Sequence, residues 1–267
     1  MASVTLSARD PALGLSRRRL PTVGIVAITG TSTEVGKTIV TAAVAALARA
    51  RGQSVAVVKP AQTGLLPGEP GDLAEIERLA PGVVTYEYAR YPDPLSPEAA
   101  ARQSGDRALG LTAVAKSVAA LDPEYDLVLV EGAGGLLVRF GADGWTLAEL
   151  AWSVQAPVLL VTTAALGTLN YTALTCEALA ARGVPLAGLV IGSWPAEPDL
   201  AARCNVQDLE TAAGRPLDGV LPAGAPEEED FLSVARAGLD ASWGGSFDPA
   251  DFRSSIDPTP AGVPVLG

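Results

Sequence analysis

The chain has 267 residues, 48% of them hydrophobic, 18% charged and 5% aromatic, with a net charge of −11. That length and apolar share suit one domain of roughly 200–250 residues around a substantial core, and the acidic balance excludes a basic nucleic-acid-binding or anionic-membrane-binding face. The complete lack of histidine excludes a Ser-His-Asp triad, a His-ligated zinc site and imidazole base chemistry, leaving lysine, carboxylates, hydroxyls, backbone amides and a metal held by oxygen.

In chain order, residues 1–21 place Arg17, Arg18 and Arg19 after the apolar residues instead of before them. They lack the hydrophobic centre of a secretory signal and read as a disordered extension. From residue 22 to 243 short apolar runs alternate with helical patterns, the mark of repeated strand–helix–strand units. Strands are expected at 24–29, 55–59, 127–131, 158–163, 186–191 and 219–221. Helices are expected at 37–51, 72–79, 111–121, 147–154, 169–182, 206–213 and 230–241. Residues 82–97, rich in proline and tyrosine, read as a structured loop over a site, and 244–267 as a disordered, Pro-rich tail. No apolar stretch is long enough to span a bilayer. The two cysteines, Cys176 and Cys204, are too few for a disulfide framework and fit a reducing, cytoplasmic setting.

The first chemical signal is GIVAITGTSTEVGKT, residues 24–38. An apolar strand runs into Gly30, a loop of small residues follows, and Gly36-Lys37-Thr38 opens an Ala-rich helix. Unpaired amides at such a helix start point at an anion, and the helix dipole favours its charge. Lys37 would reach the β- and γ-phosphates and Thr38 would ligate Mg²⁺, with Thr33, Glu34, Val35, Gly36 and Ile39 completing the cradle. Five residues separate the two glycines where the common pattern has four, and Thr31 stands in the usual first-glycine place. The second signal is DLVLVEGAGG, residues 126–135. A strand ending in a carboxylate, Glu131, commonly lies beside a phosphate loop and serves its metal. Gly132, Ala133 and Gly134 let backbone approach a ligand closely. The third is VVKPAQTG, residues 57–64, which puts Lys59 at the ligand-binding edge of an open α/β sheet and a hydroxyl, Thr63, a few residues on. Asp72 reads either as a helix cap or as a carboxylate completing an oxygen-only Mg²⁺ site with Thr38 and Glu131. The fold class that accommodates these motifs is α/β, P-loop NTPase-like, with a mostly parallel central sheet and helices on both faces.

Together the ordered motifs TGTSTEVGKT, KPAQTG, Asp72, LVLVEGAGG, GTLNYTALT, GSWP and LPAG, spread over residues 23–239, resemble dethiobiotin synthetase. The resemblance implies a ligase of biotin synthesis that takes 7,8-diaminononanoate, CO₂ and a nucleoside triphosphate such as ATP to dethiobiotin, nucleoside diphosphate and phosphate. It implies a catalytic role for Lys59 alongside Lys37, a substrate contact for Thr63, and metal service for Thr38, Asp72 and Glu131. It also implies a homodimer, in which a helix start at Gly167, Thr168, Leu169 and Asn170 captures the substrate carboxylate for the neighbouring subunit. Read from the residues alone, that segment is an ordinary helix start. Two departures stand out. Tyr171 replaces a histidine of many relatives, and Gly192-Ser193 replaces an Asn-Asp pair whose amide can read adenine. Base recognition then falls to backbone around Gly192, Ser193, Trp194, Pro195, Pro222, Ala223 and Gly224, so CTP is expected to serve as well as ATP.

Three other readings fit parts of the pattern. A ParA/MinD-type switch ATPase would usually carry an additional lysine early in the phosphate loop and a membrane helix or basic surface. An amide-forming ligase of cobalamin synthesis would usually need a glutaminase domain with Cys and His. A dethiobiotin-synthetase-like regulatory domain is the third.

Overall fold

The computed structural model describes residues 24–256 apart from Ala142. The extension expected at 1–21 lies outside the described residues, as does the end of the tail, 257–267. In chain order the strands are β1 (Gly24–Gly30), β2 (Val55–Lys59), β3 (Gln62–Thr63), β4 (Val84–Glu87), β5 (Arg90–Tyr91), β6 (Leu127–Gly135), β7 (Val158–Thr162), β8 (Leu186–Trp194) and β9 (Gly219–Pro222). The helices are α1 (Lys37–Ala50), α2 (Asp72–Leu79), α3 (Pro97–Ser104), α4 (Leu111–Leu121), α5 (Leu147–Ser153), α6 (Thr168–Ala181), α7 (Leu200–Ala213), α8 (Phe231–Gly238) and α9 (Pro249–Ile256).

Seven strands form one parallel sheet in the order β4-β2-β6-β1-β7-β8-β9. Its apolar runs divide by the two-residue period of a strand. Val26 and Ile28 of β1, Val55 and Val57 of β2, and Leu127 and Leu129 of β6 face one core with α1, α2 and α8. Ala27, Ala56, Val58, Val128 and Val130 face the other, with α4 and α5. A strand buried on both faces must be apolar throughout, which is why these segments read as continuous runs. α1 is sheathed almost all round, Val40 to Ala48 being buried. Its five alanines there allow such close packing at little cost in side-chain entropy.

Several elements depart from the sequence expectation, among them β3 and α3, which it did not include. The loop expected at 82–97 contains edge strand β4, paired with β2, and β5, paired with β3. β4 alternates polar and apolar residues over only four positions, too short a run to register as a strand. α7 starts at Leu200, earlier than expected, because Asp199 caps it by accepting the Ala202 N–H at 2.7 Å. The disordered tail expected from 244 is corrected for its first part: residues 249–256 form α9. Phe247, Phe252 and Ile256 pack on the core between β8 and α7, and Asp248 accepts the Ala250 and Asp251 amides at 2.7 and 3.1 Å. Locally the segment is polar, and only the groove it fills supplies apolar partners.

Candidate active site

Sheet order brings three separate motifs to one edge. β1 lies between β6 and β7, and β2 lies beside β6, so the ends of β1, β2 and β6 are adjacent. The loop after β1 turns through left-handed backbone at Glu34 (φ 57°) and Gly36 (φ 92°), and opens α1 with no side-chain cap. The first cap bond runs from Val40 N–H to Gly36 O, so the amides of Lys37, Thr38 and Ile39 precede the helical ladder and remain for a ligand. Gly30 is required here: a Cβ would lie 2.6 Å from Ser32 O and 2.7 Å from Val35 Cγ2. Lys37 folds back to donate to Ser32 O at 2.9 Å.

Glu131 is fully buried and is the hub of the site. Its Oε1 accepts from Lys59 Nζ at 2.7 Å and from Thr38 Oγ1 at 3.1 Å, and its Oε2 accepts from Thr41 Oγ1 at 2.7 Å. Lys59 also contacts Asp72 Oδ2 at 2.5 Å and donates to Gly132 O at 3.3 Å. Burial opposes the Lys59 charge, but Glu131 and then Asp72 outweigh it and raise its pKa. Lys37 is pushed down to about 8, first by burial and next by the positive charge of Lys59. Two cations thus converge beside one carboxylate hub, a geometry suited to a polyanion. Asp72 opens α2, and its N–H donates to Gln62 Oε1 at 3.1 Å. The helix-cap reading of Asp72 is corrected: Gly71 takes the cap position with no side-chain cap bond, Asp72 is the first helical residue, and its carboxylate turns instead to Lys59.

Thr38, Asp72 and Glu131 offer oxygen alone. Among the described residues no group of three or more His, Cys, Asp or Glu side chains makes a metal cage. This donor set fits Mg²⁺, which is commonly held by one or two carboxylates with phosphate and water completing its shell. Two contributors escaped the sequence reading. Thr41 sits three residues after Thr38, hence on the same helix face, and that spacing is the signal that could have found it. Gln62, within KPAQTG, had no local signature of holding Asp72.

Thr63 lies in β3, half-buried, and its carbonyl accepts from Gln62 Nε2. Beyond the glycine run, Thr31, Thr33, Gly134, Val138, Tyr171 and Leu174 help to line a cleft of about 420 Å³. Of the α6 start, Thr168 is occupied inward, its hydroxyl 2.7 Å from both Thr162 Oγ1 and Thr163 O. Thr162 in turn is 3.3 Å from Thr31 Oγ1 in the phosphate loop. Gly167 (φ 93°) precedes the helix, and the amides of Leu169 and Asn170 belong to its unladdered first turn.

Gly192 has a different role from the one its missing amide implied. A Cβ there would stand 2.2 Å from Val35 O, and one at Gly36 would stand 2.4 Å from Gly192 O. The two glycines let β8 press against the phosphate loop. Beyond them Trp194 pairs with Pro222, and Ala223 N–H donates to Trp194 O at 2.8 Å. Ser193 to Pro195 and Pro222 to Gly224 therefore form one rim beside the loop.

The comparisons with known proteins agree with this geometry. A family model described as an AAA domain matches residues 25–226. Among solved structures, the cell division ATPase MinD of Pyrococcus furiosus superposes with a TM-score of 0.51 at 19% identity, over 79% of this chain and 94% of that one. A ParA family ATPase from Chlorobium tepidum TLS gives 0.50 at 14% identity, over 79% and 90%. At such identities these two show the fold, that of the P-loop NTPases. The protein called ATP-dependent dethiobiotin synthetase BioD in Frankia casuarinae is 59% identical over 232 residues, 86% of this chain and 98% of that protein. Its counterpart in Rhodococcus erythropolis is 56% identical over 223 residues, 82% of this chain and 98% of that protein. Identity above one half, sustained over nearly the whole of these relatives, means that the chain belongs to the dethiobiotin synthetase family.

Proposed function

We propose that this chain joins CO₂ to 7,8-diaminononanoate and closes the ureido ring of dethiobiotin at the expense of a nucleoside triphosphate. The observation that carries the reading is the convergence of Lys59 and Thr38 on the buried Glu131, beside the loop over which Lys37 folds. One substrate amine adds to CO₂, loses a proton and becomes a carbamate. A carbamate oxygen attacks the γ-phosphorus and the bond to the nucleoside diphosphate breaks, giving a carbamic–phosphoric anhydride. The second amine attacks the carbonyl carbon, the ring closes, and phosphate leaves.

Phosphoryl transfer of this kind depends on positioning and charge neutralisation more than on covalent help from the protein. The loop amides orient the β- and γ-phosphates, and Lys37 lies over the same loop. Lys59, kept cationic by Glu131 and Asp72, acts as a fixed positive charge toward carbamate and transferring phosphoryl group. Bound beside Thr38, Asp72 and Glu131, Mg²⁺ supplies further positive charge against the phosphates. Thr63 and the cleft beside Gly134 serve the diamine.

We further propose a cytoplasmic homodimer. Leu166, just before α6, and Tyr171 and Leu174 along it are 85%, 54% and 55% exposed, beside the cleft and the free first-turn amides of Leu169 and Asn170. A second subunit covering that face would bring those amides to its neighbour's substrate carboxylate. Among the described residues no helix is long and apolar enough to cross a membrane. The base rim carries no charged side chain, so ATP and CTP are expected to serve comparably.

The test is direct. The protein is incubated with diaminononanoate, bicarbonate, Mg²⁺ and each of four ribonucleoside triphosphates, and dethiobiotin is detected by mass. Product with ATP and CTP at similar initial rates is expected. Phosphate release that the diamine does not stimulate would overturn the ligase reading in favour of a switch ATPase. A hundredfold preference for ATP, about 2.7 kcal/mol, would remove the tolerance for CTP.

A further inference from the structure

The rim formed by Ser193 to Pro195 and Pro222 to Gly224 has no charged side chain and lies at the exposed ends of two strands. Its fixed point is an indole. The ring of Trp194 meets Phe252 of α9 edge-on, with centroids 5.1 Å apart and planes at 77°. Phe252 rests in turn on Phe247, with centroids 5.6 Å apart. α9 is itself anchored: Arg253 donates to Glu210 Oε1 and Oε2 at 2.8 and 2.6 Å. Glu210 Oε1 also accepts the Leu217 N–H at 2.9 Å, on the run into β9. One short helix thus braces the end of β8 through aromatic contact and the approach to β9 through a carboxylate.

We propose that α9, acting through Phe252, positions the nucleotide base by holding Trp194 and the rim to which that residue belongs. The proposal rests on the nucleotide-dependent reading above and deepens it. Phe252 reaches the rim through the indole of Trp194, so it is proposed as a positioning residue. The phosphate loop is held by its own glycines, by α1 and by Gly192, whereas α9 packs on α7 and the core beside β8. Loosening Phe252 therefore frees the rim without disturbing the phosphate cradle. A rim that must be ordered when the base arrives binds it more weakly than one already fixed.

The discriminating probe is inorganic tripolyphosphate, which has the phosphates and no base. Full-length Phe252→Ala and Phe252→Leu are compared with the parent for calorimetric affinity toward Mg-ATP, Mg-CTP and Mg-tripolyphosphate, and for kcat and nucleotide KM. For Phe252→Ala the expected result is an affinity for both nucleotides weaker by about 5-fold to 10-fold, with tripolyphosphate affinity and kcat unchanged. Phe252→Leu keeps the bulk but loses the ring edge, and about a 3-fold weakening is expected. It carries the same comparison should the alanine variant fail to fold. Unchanged nucleotide affinity overturns the proposal. So does an equal loss for nucleotide and tripolyphosphate, which would make α9 a general clamp on the fold. A parent that binds nucleotide but forms no dethiobiotin would refute the ligase reading alone, because the binding comparison still decides the role of Phe252.

Discussion

Among the described residues two carboxylates are buried, one in each half of the sheet, and they differ in what surrounds them. Glu131, at the end of β6, is shared among an ammonium and two hydroxyls that all lie at the ligand edge. Asp218, at the foot of β9, meets Arg215 at 2.7 Å and accepts the Leu189 N–H at 2.8 Å, away from the phosphate loop. Burial pushes Asp218 up to about 6 despite Arg215. The first holds charge where a reaction needs it, and the second fastens one strand to the turn before the next. The same division runs through the whole site. The phosphate end is built from charged side chains fixed by one another, and the base end from backbone, glycine contact and aromatic packing.

The comparison breaks most readily at the phosphate end. Lys37→Ala and Lys59→Ala should each lower turnover by at least about 10³-fold, measured in steady state with saturating diamine. The two should differ in stability. Lys59→Ala leaves Glu131 without its counter-charge at 0% exposure and should cost about 3–5 kcal/mol in denaturant unfolding. Lys37→Ala removes a cation already disfavoured by burial and should leave stability near the parent value. Equal stability of both variants would contradict the role of Glu131 as a paired buried charge.

A smaller effect on turnover is expected where the two ends meet. Gly192→Ala drives a methyl group toward Val35 O, the ideal Cβ position lying 2.2 Å away. The loop or the strand must yield, at about 1–3 kcal/mol. Nucleotide KM should rise with kcat less affected, and an unaltered KM would mean that the close approach of Gly192 to Val35 does not shape the phosphate loop.

The smallest effect on turnover, none, is expected from Asp218→Asn, whose amide oxygen can still accept the Leu189 N–H. Its consequence lies in the pH dependence of stability. The Asp218 carboxyl ionises near 3.8 when unfolded and at about 6 when folded, where burial raises it. Between those values the folded state holds the extra proton, so stability falls as pH rises. The contribution is fully present below the unfolded pKa and is lost through pH 6. Unfolding curves from pH 4 to 7 should show that component in the parent and lack it in Asp218→Asn.

Legibility followed the same division. Lys37, Thr38, Lys59 and Glu131 were readable because each sits in a short window of strand, loop and helix whose residue types have a direct chemical meaning. The parallel sheet was readable from β1, β2 and β6, whose unbroken apolar runs imply burial on both faces. Thr41 was hidden because one hydroxyl in an Ala-rich helix looks incidental until the carboxylate 90 positions later is brought to 2.7 Å. β4 was hidden because an edge strand, covered less completely, does not have to be uniformly apolar.

The sequence alone indicated which residues gather at the phosphate loop, since glycine, lysine, hydroxyl and carboxylate at those spacings have few other uses together. Only the tertiary structure decided that Glu131 is the hub, that Gly192 exists to admit the phosphate loop, and that the polar-looking segment after residue 244 forms a helix against Trp194. The reason is physical. Local windows encode backbone geometry and ionisable groups, whereas the meaning of a close approach or an aromatic edge lies in a partner that is distant in the chain.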